Sequence, residues 1–223
     1  MRPGSVVVLL TMGALAGGAA PASGAELRVD RDCFADPGDR ADTVVLSGRG
    51  FTPGAAYRVT LDGRPLVGGT GRVDATGAVG GAFAAPEVGA NGARRSFRLG
   101  VQDGVHRPTT TFTVSRLLAR FAPTAGNPAT LRVVFRADGF GLRGDTRPSV
   151  YVHYLTPRGR LARTVRLGTA TGPCGSLRTA RRRLFAFRPA PGRWRLQFDT
   201  RSRYTPGTGR SSFVHYTVPV RVG

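Results

Sequence analysis

The stretch Arg178 to Tyr204, RTARRRLFAFRPAPGRWRLQFDTRSRY, holds nine arginines and five aromatic residues in 27 positions. Cations interleaved with rings are what a single-strand nucleic-acid binder uses, guanidinium on phosphate and ring on base. Strand parity separates the two sets. In GRWRLQFDT, Trp194, Leu196 and Phe198 alternate with Arg193, Arg195 and Gln197, so on an extended chain the rings face one way and the cations the other. Rings turned into a core cannot stack on bases, which leaves only Tyr204, Phe185 and Phe187 as candidate surface rings. The strip is expected to be the charged outer face of a sheet, and nucleic acid is a disfavoured partner. Its candidate polyanion contacts are Arg181, Arg182, Arg183, Arg193 and Arg195, joined by Arg158, Arg160, Arg163 and Arg166 of RGRLARTVR. A planar guanidinium donates two parallel hydrogen bonds to a phosphate, which suits it to that task.

Other residues with chemical potential are sparse. GFGLRG, Gly139 to Gly144, matches G-x-G-x-x-G but runs into a turn and another strand pattern rather than a helix. Position 164, where a ribose-binding acid would stand, is threonine. A glycine hairpin is expected there, and no cofactor. The three histidines, His106, His153 and His215, lie in strand or turn contexts without a motif. His153 and His215 sit in the similar settings YVHY and FVHY and are expected to neighbour each other on one sheet as structural residues. Neither a nucleophile elbow nor a zinc-protease motif occurs, and paired carboxylates are missing from the second half; the chain is expected not to be an enzyme. Asp30, Asp32, Asp36, Asp39 and Asp42 fall within VDRDCFADPGDRAD. Oxygen-rich turns can hold calcium, so these five are a weak calcium candidate. A solvated loop or a set of internal partners for arginines is the favoured reading.

Charge is divided unevenly along the chain. All 33 basic residues are arginine, and Gly, Ala and Pro are abundant, as in a GC-rich genome. Codon bias would raise the arginine count everywhere alike. Residues 26–115 carry 11 arginines against 10 acids, whereas residues 116–223 carry 21 against 3, Asp138, Asp145 and Asp199. Such an asymmetry favours a polyanionic neighbour for the second half.

The elements that must position these residues are short strands behind a leader. Arg2 and the apolar run Val6 to Ala20, followed by PASGA, read as a signal peptide over residues 1–25, with cleavage after Ala22 or Ala25. No later apolar run is long enough to span a bilayer. Cys33 and Cys174 lie in opposite halves, and in an export-competent chain a disulfide between them is the favoured state; two free thiols or an intermolecular link are the alternatives. Past the leader, DTVVLSGRGF, AAYRVTLDGRPL, SFRLGVQDG and TTTFTVS alternate apolar and polar positions between Gly, Pro and Asp turns. ATLRVVFRADGFG, PSVYVHYLTPRGRL, LARTVRLG, RLFAFRP, GRWRLQFDT and SFVHYTVPV continue the pattern, with LLARF inside a short connector. Many short strands with regular turns argue for an all-β protein: two immunoglobulin-like β-sandwich domains in tandem, residues 26–115 and 116–223.

VVLSGRGFTPGAAYRVTLDG together with TGRVDATGAVGGAFAAP resembles the immunoglobulin-like repeats of secreted actinobacterial proteins, over roughly residues 42–115. Enediyne chromoprotein apoproteins share a related pattern but carry disulfides within the domain, and a single cysteine here departs from that. The segment from VYVHY to RSRY is similar to an arginine-rich C-terminal module of such exported proteins. The resemblance implies fold and extracellular location, but no chemistry. Combined with the charge, the expectation is an envelope-associated or adhesive binding protein whose second domain docks on an anionic cell-wall polymer or anionic membrane surface. The alternative is a small-molecule or protein binder acting through its end loops, with incidental charge.

Overall fold

The computed structural model describes residues 24–142, 144–206 and 214–220, so the expected leader up to residue 23 lies outside the described residues. The described elements are all strands. In the first half these are β1 (Glu26–Val29), β2 (Cys33–Ala35), β3 (Thr43–Arg49), β4 (Ala56–Leu61), β5 (Arg64–Arg72), β6 (Val79–Ala84), β7 (Arg94–Gln102) and β8 (Thr109–Ser115). They form a sheet ordered β1-β3-β6 and a second ordered β2-β8-β7-β4-β5. Alternation decides what lies between the sheets. Val44 and Leu46 of β3, Phe97, Leu99 and Val101 of β7, and Phe112 and Val114 of β8 are all buried in one cluster. Phe34 of β2 joins them, its ring edge-on to Phe112 at 5.4 Å between centroids.

The second half holds β9 (Leu118–Ala122), β10 (Arg132–Asp138), β11 (Ser149–Leu155), β12 (Leu161–Thr169), β13 (Leu177–Arg178), β14 (Arg182–Arg183), β15 (Gly192–Asp199) and β16 (Val214–Val220). β13 and β14 pair with successive stretches of β10 and act as one interrupted strand, while β9 pairs along the other side of β10. The opposing sheet is ordered β12-β11-β15-β16. This order repeats that of the first half, three strands against β5-β4-β7-β8, without a counterpart of β2. Both halves are immunoglobulin-like sandwiches. Val133 and Phe135, Val150, Val152 and Tyr154, and Trp194, Leu196 and Phe198 fill the second core.

Two sequence expectations fail locally. RLFAFRP is not a strand beyond Arg183: Leu184 and Phe185 are buried in succession, at 1% and 0% exposure. Phe185 is therefore no surface ring. It packs against Tyr154, Phe187 and Trp194, with centroids 5.3–5.6 Å apart, and this aromatic cluster outweighs the alternating pattern. The turn at Asp103-Gly104 is present, in the loop between β7, which ends at Gln102, and β8, which begins at Thr109.

Only Arg116 and Leu117 separate β8 from β9, and a covalent bond ties the same place. Cys33 of β2 and Cys174 are joined by a disulfide, with Cα atoms 5.3 Å apart. Beside it, the Phe140 amide donates to the Gly175 carbonyl at 3.2 Å and the Gly141 amide to the Cys174 carbonyl at 3.0 Å. Gly139 and Gly175 have φ of 78° and 65°, and a Cβ at either would run into backbone, that of Arg116 or of Gly141. The GFGLRG motif is thus a junction hairpin, with its glycines set by close backbone approach. The Cys33→Ser/Cys174→Ser double variant is expected to lose roughly 2–4 kcal/mol in guanidinium unfolding under oxidising conditions; a midpoint matching wild type would show that the bond adds nothing.

The loop after β7 is organised by one carboxylate. Asp103 accepts from the amides of Thr52 (2.7 Å), Val105 (3.0 Å) and His106 (2.6 Å), and its Oδ2 lies 3.0 Å from the His106 Nδ1. Burial would raise its pKa, but these donors outweigh it and hold the carboxyl far below the usual range. A depressed folded pKa gives stability that is complete above the unfolded value, about 3.9, and drains as pH falls below it. Thermal melts should therefore show Tm falling below about pH 4, with a shallower fall in Asp103→Asn, which should start from a lower Tm at neutral pH. Parallel pH profiles for the two proteins would refute this role.

Candidate polyanion-binding surface

From Arg120 onward, the described arginines of the second half have no acidic partners. Every arginine–carboxylate ion pair among the described residues is made by Arg28, Arg31, Arg40, Arg49, Arg95 or Arg116. From Arg120 onward, no described arginine makes one. The few acids there are engaged or apart: the Asp138 carboxylate accepts from the Ser176 hydroxyl at 2.9 Å, and Asp199 is buried.

The nine arginines singled out by sequence do not form one face. Arg193 and Arg195 project from the outer side of β15, opposite the buried Trp194 and Leu196. Arg158 and Arg160 occupy the exposed β11–β12 turn, and the Arg195 guanidinium reaches to within 3.7 Å of a Cβ built on Gly159. Arg166 donates to the hydroxyls of Ser149 (3.2 Å) and Thr169 (2.7 Å), and Arg163 to the Ala186 carbonyl (3.3 Å). Arg183 belongs to the opposite sheet, and Arg181 immediately precedes its strand β14. There Arg183 pairs with Arg132 in register, and Arg181 and Arg132 each donate to the other's carbonyl, at 3.4 and 3.5 Å. Arg182, opposite Val133, is half-buried. The core lies between these sheets, so basic surface points outward on both sides.

Arg132 and Arg136 are exposed on β10 beside Arg120, Arg178 and Arg183 of the flanking strands. Sequence reasoning placed Arg132 and Arg136 outward by alternation, but their neighbours follow from a cross-strand register that no local pattern encodes.

His153 is fully buried, on the sheet side away from Tyr154. Its Nδ1 lies 2.8 Å from the Thr164 hydroxyl, and its Nε2 lies 3.1 Å from both Asp199 Oδ1 and the Arg201 carbonyl. Asp199 also accepts from the Gln197 side chain (2.7 Å) and the Arg201 amide (2.8 Å), and Gln197 donates to the Thr205 carbonyl (2.9 Å). Burial opposes ionisation of Asp199, yet the bonds from His153, Gln197 and Arg201 keep its pKa below the ordinary value. Tyr204 lies over His153 with centroids 5.5 Å apart, so it is a cover rather than a free ring. Residues 200–206 are thereby strapped onto the sheet. Gln197, expected to be exposed with the arginines, is instead buried under this strap. In backbone register, His153 and His215 both pair with Gln197, so one strand separates them.

The five-aspartate segment holds the junction. The Asp42 carboxylate accepts from Arg31 (2.7 Å) and from the Ala35 amide (3.0 Å), and Asp30 accepts from the Val45 amide (2.9 Å). Buried Asp36 accepts from the Val88 amide (2.8 Å) and stands 3.5 Å from Arg116. Asp39 accepts from the Leu117 amide (2.6 Å). The Asp32 carbonyl accepts from the Thr113 amide. Among the described residues no group of three acids, histidines or cysteines could hold a metal ion. The carboxylates of Asp30, Asp36, Asp39 and Asp42 act as internal partners. Elsewhere, an apolar groove of about 710 Å³ opens beside the second core, lined in part by Phe121, Leu131, Leu184, Tyr216 and Val218.

No protein-family model matches the chain, and no curated protein sequence matches it. Among solved structures, the chain is similar to red sea bream transglutaminase at 10% identity and TM-score 0.29, covering 89% of this chain and 31% of that one. It therefore spans less than a third of the transglutaminase's length. Bovine butyrophilin is similar at 10% identity and TM-score 0.30, covering 91% of this chain and all of that one. Overlaps this loose carry no functional argument, and the fold assignment rests on strand order.

Asp199→Ala should release the strap: limited trypsin digestion read by mass spectrometry is expected to make its first cuts after Arg201 and Arg203, earlier than in wild type. An unchanged order of cuts would mean that the carboxylate does not hold the segment.

Proposed function

We propose that this chain is an exported, non-enzymatic binding protein whose basic second half docks on a flexible anionic polymer of the cell envelope. One observation carries the reading: exposed arginines without ion-pair partners lie on both outer faces of the second sandwich. A flat bilayer meets one face at a time, whereas a chain-like polyanion can follow both. Guanidinium groups left unpaired by the protein keep their bidentate capacity for phosphate or carboxylate on a partner. A disulfide within the chain fits the oxidising side of a membrane. The resemblance of residues 42–115 to repeats of secreted actinobacterial proteins points to the same location. The apolar groove beside Phe121 and Tyr216 favours a second reading, a small-molecule binder in which the charge is incidental.

The test is co-sedimentation of the mature protein with purified cell walls, with and without their anionic polymers. Binding is expected only with the polymers, and it should fade as the screening length falls from ~10 Å at 0.1 M salt to ~3 Å at 1 M. Binding that ignores both polymer and salt would overturn the proposal, as would no binding. Preference for anionic vesicles over walls would move the partner to the membrane.

A further inference from the structure

The register of β9, β10 and β13 sets Arg120, Arg136 and Arg178 directly abreast: Arg136 pairs with Arg120 on one side and with Arg178 on the other. All three side chains are on the solvent face. Like charges at directly opposed positions of a sheet are unfavourable, and here three occur in one row. A fourth arginine arrives from the other half. Arg94 of β7 extends across the junction and donates to the Ser176 hydroxyl at 2.8 Å. Together they line a pocket of about 580 Å³, with Thr171 and Asp138 also on its wall. The Asp138 carboxylate is turned to Ser176, and no arginine of the four is ion-paired.

In the first half, five of the eleven arginines are ion-paired. Arg28, Arg31, Arg49 and Arg95 each sit on a carboxylate. The pocket therefore concentrates positive charge in a concavity, where the field is focused, and offers several guanidinium forks with hydroxyl groups beside them. Four guanidinium groups against one carboxylate leave a net charge near +3, which complements a diphosphate better than a single phosphate or a carboxylate.

We propose that this junction pocket binds a pyrophosphate group, with Arg94, Arg120, Arg136 and Arg178 as its guanidinium contacts. Neutralisation by the anion offsets the repulsion within the row. Because one of the four arginines comes from the first half, the site requires both halves held together, and the Cys33–Cys174 bond lies at the same junction. The group could be free in solution or the headgroup of a lipid, and the chemistry recognised is the same. The inference rests on the pocket alone and stands whether or not the chain binds envelope polymers.

Isothermal titration of the full mature chain with inorganic pyrophosphate at low salt tests it. One pyrophosphate per chain is expected, with orthophosphate about tenfold weaker or more. Arg136→Gln should weaken binding by about tenfold or more, while Arg193→Gln/Arg195→Gln, which removes more charge from the other face, should change it by less than about twofold. Flotation with phosphatidylcholine vesicles, with and without diacylglycerol pyrophosphate, distinguishes the two sources: capture only by the lipid identifies a headgroup, and titration with pyrophosphate alone a free ligand. Without ligand, Arg136→Gln should melt at or above the wild-type Tm, since it relieves a like-charge row. Absence of binding in both arms overturns the proposal, as does several-site binding that Arg136→Gln and Arg193→Gln/Arg195→Gln weaken equally. Retained wall binding in that event would leave the polymer reading intact.

Discussion

The junction between the halves is held by the Cys33–Cys174 disulfide, and much else depends on it. Beside it, within the second half, the Phe140 and Gly141 amides bond to the Gly175 and Cys174 carbonyls, a close approach that glycine at 141 and 175 allows. The disulfide holds β2 to that hairpin, and β2 in turn pairs in parallel with β8. From the other side, Asp36 and Asp39 hold Arg116 and the Leu117 amide. A connector of two residues is thus bonded at both of its positions. Arg94 can lie beside Arg136 only because this geometry fixes where β7 ends up relative to β10. An acidic loop, a glycine motif and a cysteine pair that look unrelated in sequence serve one joint.

Charge is handled in opposite ways on the two sides of that joint. In the first half, carboxylates cap loops, as Asp103 does with three amides, or anchor arginines, as Asp42 does with Arg31. From Arg120 onward, the described arginines are spread over largely exposed positions without carboxylate anchors. Solvent makes this tolerable: two unit charges about 5 Å apart in water repel by only about 0.8 kcal/mol. Burying one large apolar side chain such as Phe135 contributes about 1.5–3 kcal/mol. The core therefore carries the basic faces easily, and the repulsion remains as a standing preference for anions.

Alternation made most of the fold legible. Trp194, Leu196 and Phe198 against Arg193 and Arg195 lie on the sides their parity predicts. Val150, Val152 and Tyr154 are buried as expected, although on the other side of β11 His153 and Leu155 are buried too. LLARF became β9, and Asp62-Gly63 closes the β4–β5 hairpin. The misses share a cause. Phe185 and Leu184 are buried in succession by an aromatic cluster assembled from distant residues, and Gln197 is covered by a strap whose anchor, Asp199, bonds to His153 from another strand. The arginine row was beyond reach for the same reason. Arg120, Arg136 and Arg178 are 16 and 42 residues apart in sequence, and only strand register brings them together. Composition announced that the second half was basic, but it pointed to the arginine-dense strip, which shares only Arg178 with this row.

A compositional origin explains the choice of arginine over lysine but not the shortage of acids. Aspartate and glutamate stay abundant in the first half and nearly vanish in the second, within one gene and therefore under one codon bias. The positions concerned are also not those where an acid would be hard to fit. Exposed strand positions opposite Arg136 or Arg132 would accept a glutamate readily, and opposite charges there would add about 0.2–1 kcal/mol each. The chain instead has arginine at Arg120, Arg178 and Arg183, on the flanking strands of the same sheet. Stability alone would favour the acid at each of the three. An arrangement that forgoes that gain at neighbouring positions is better explained by a partner that supplies the negative charge from outside.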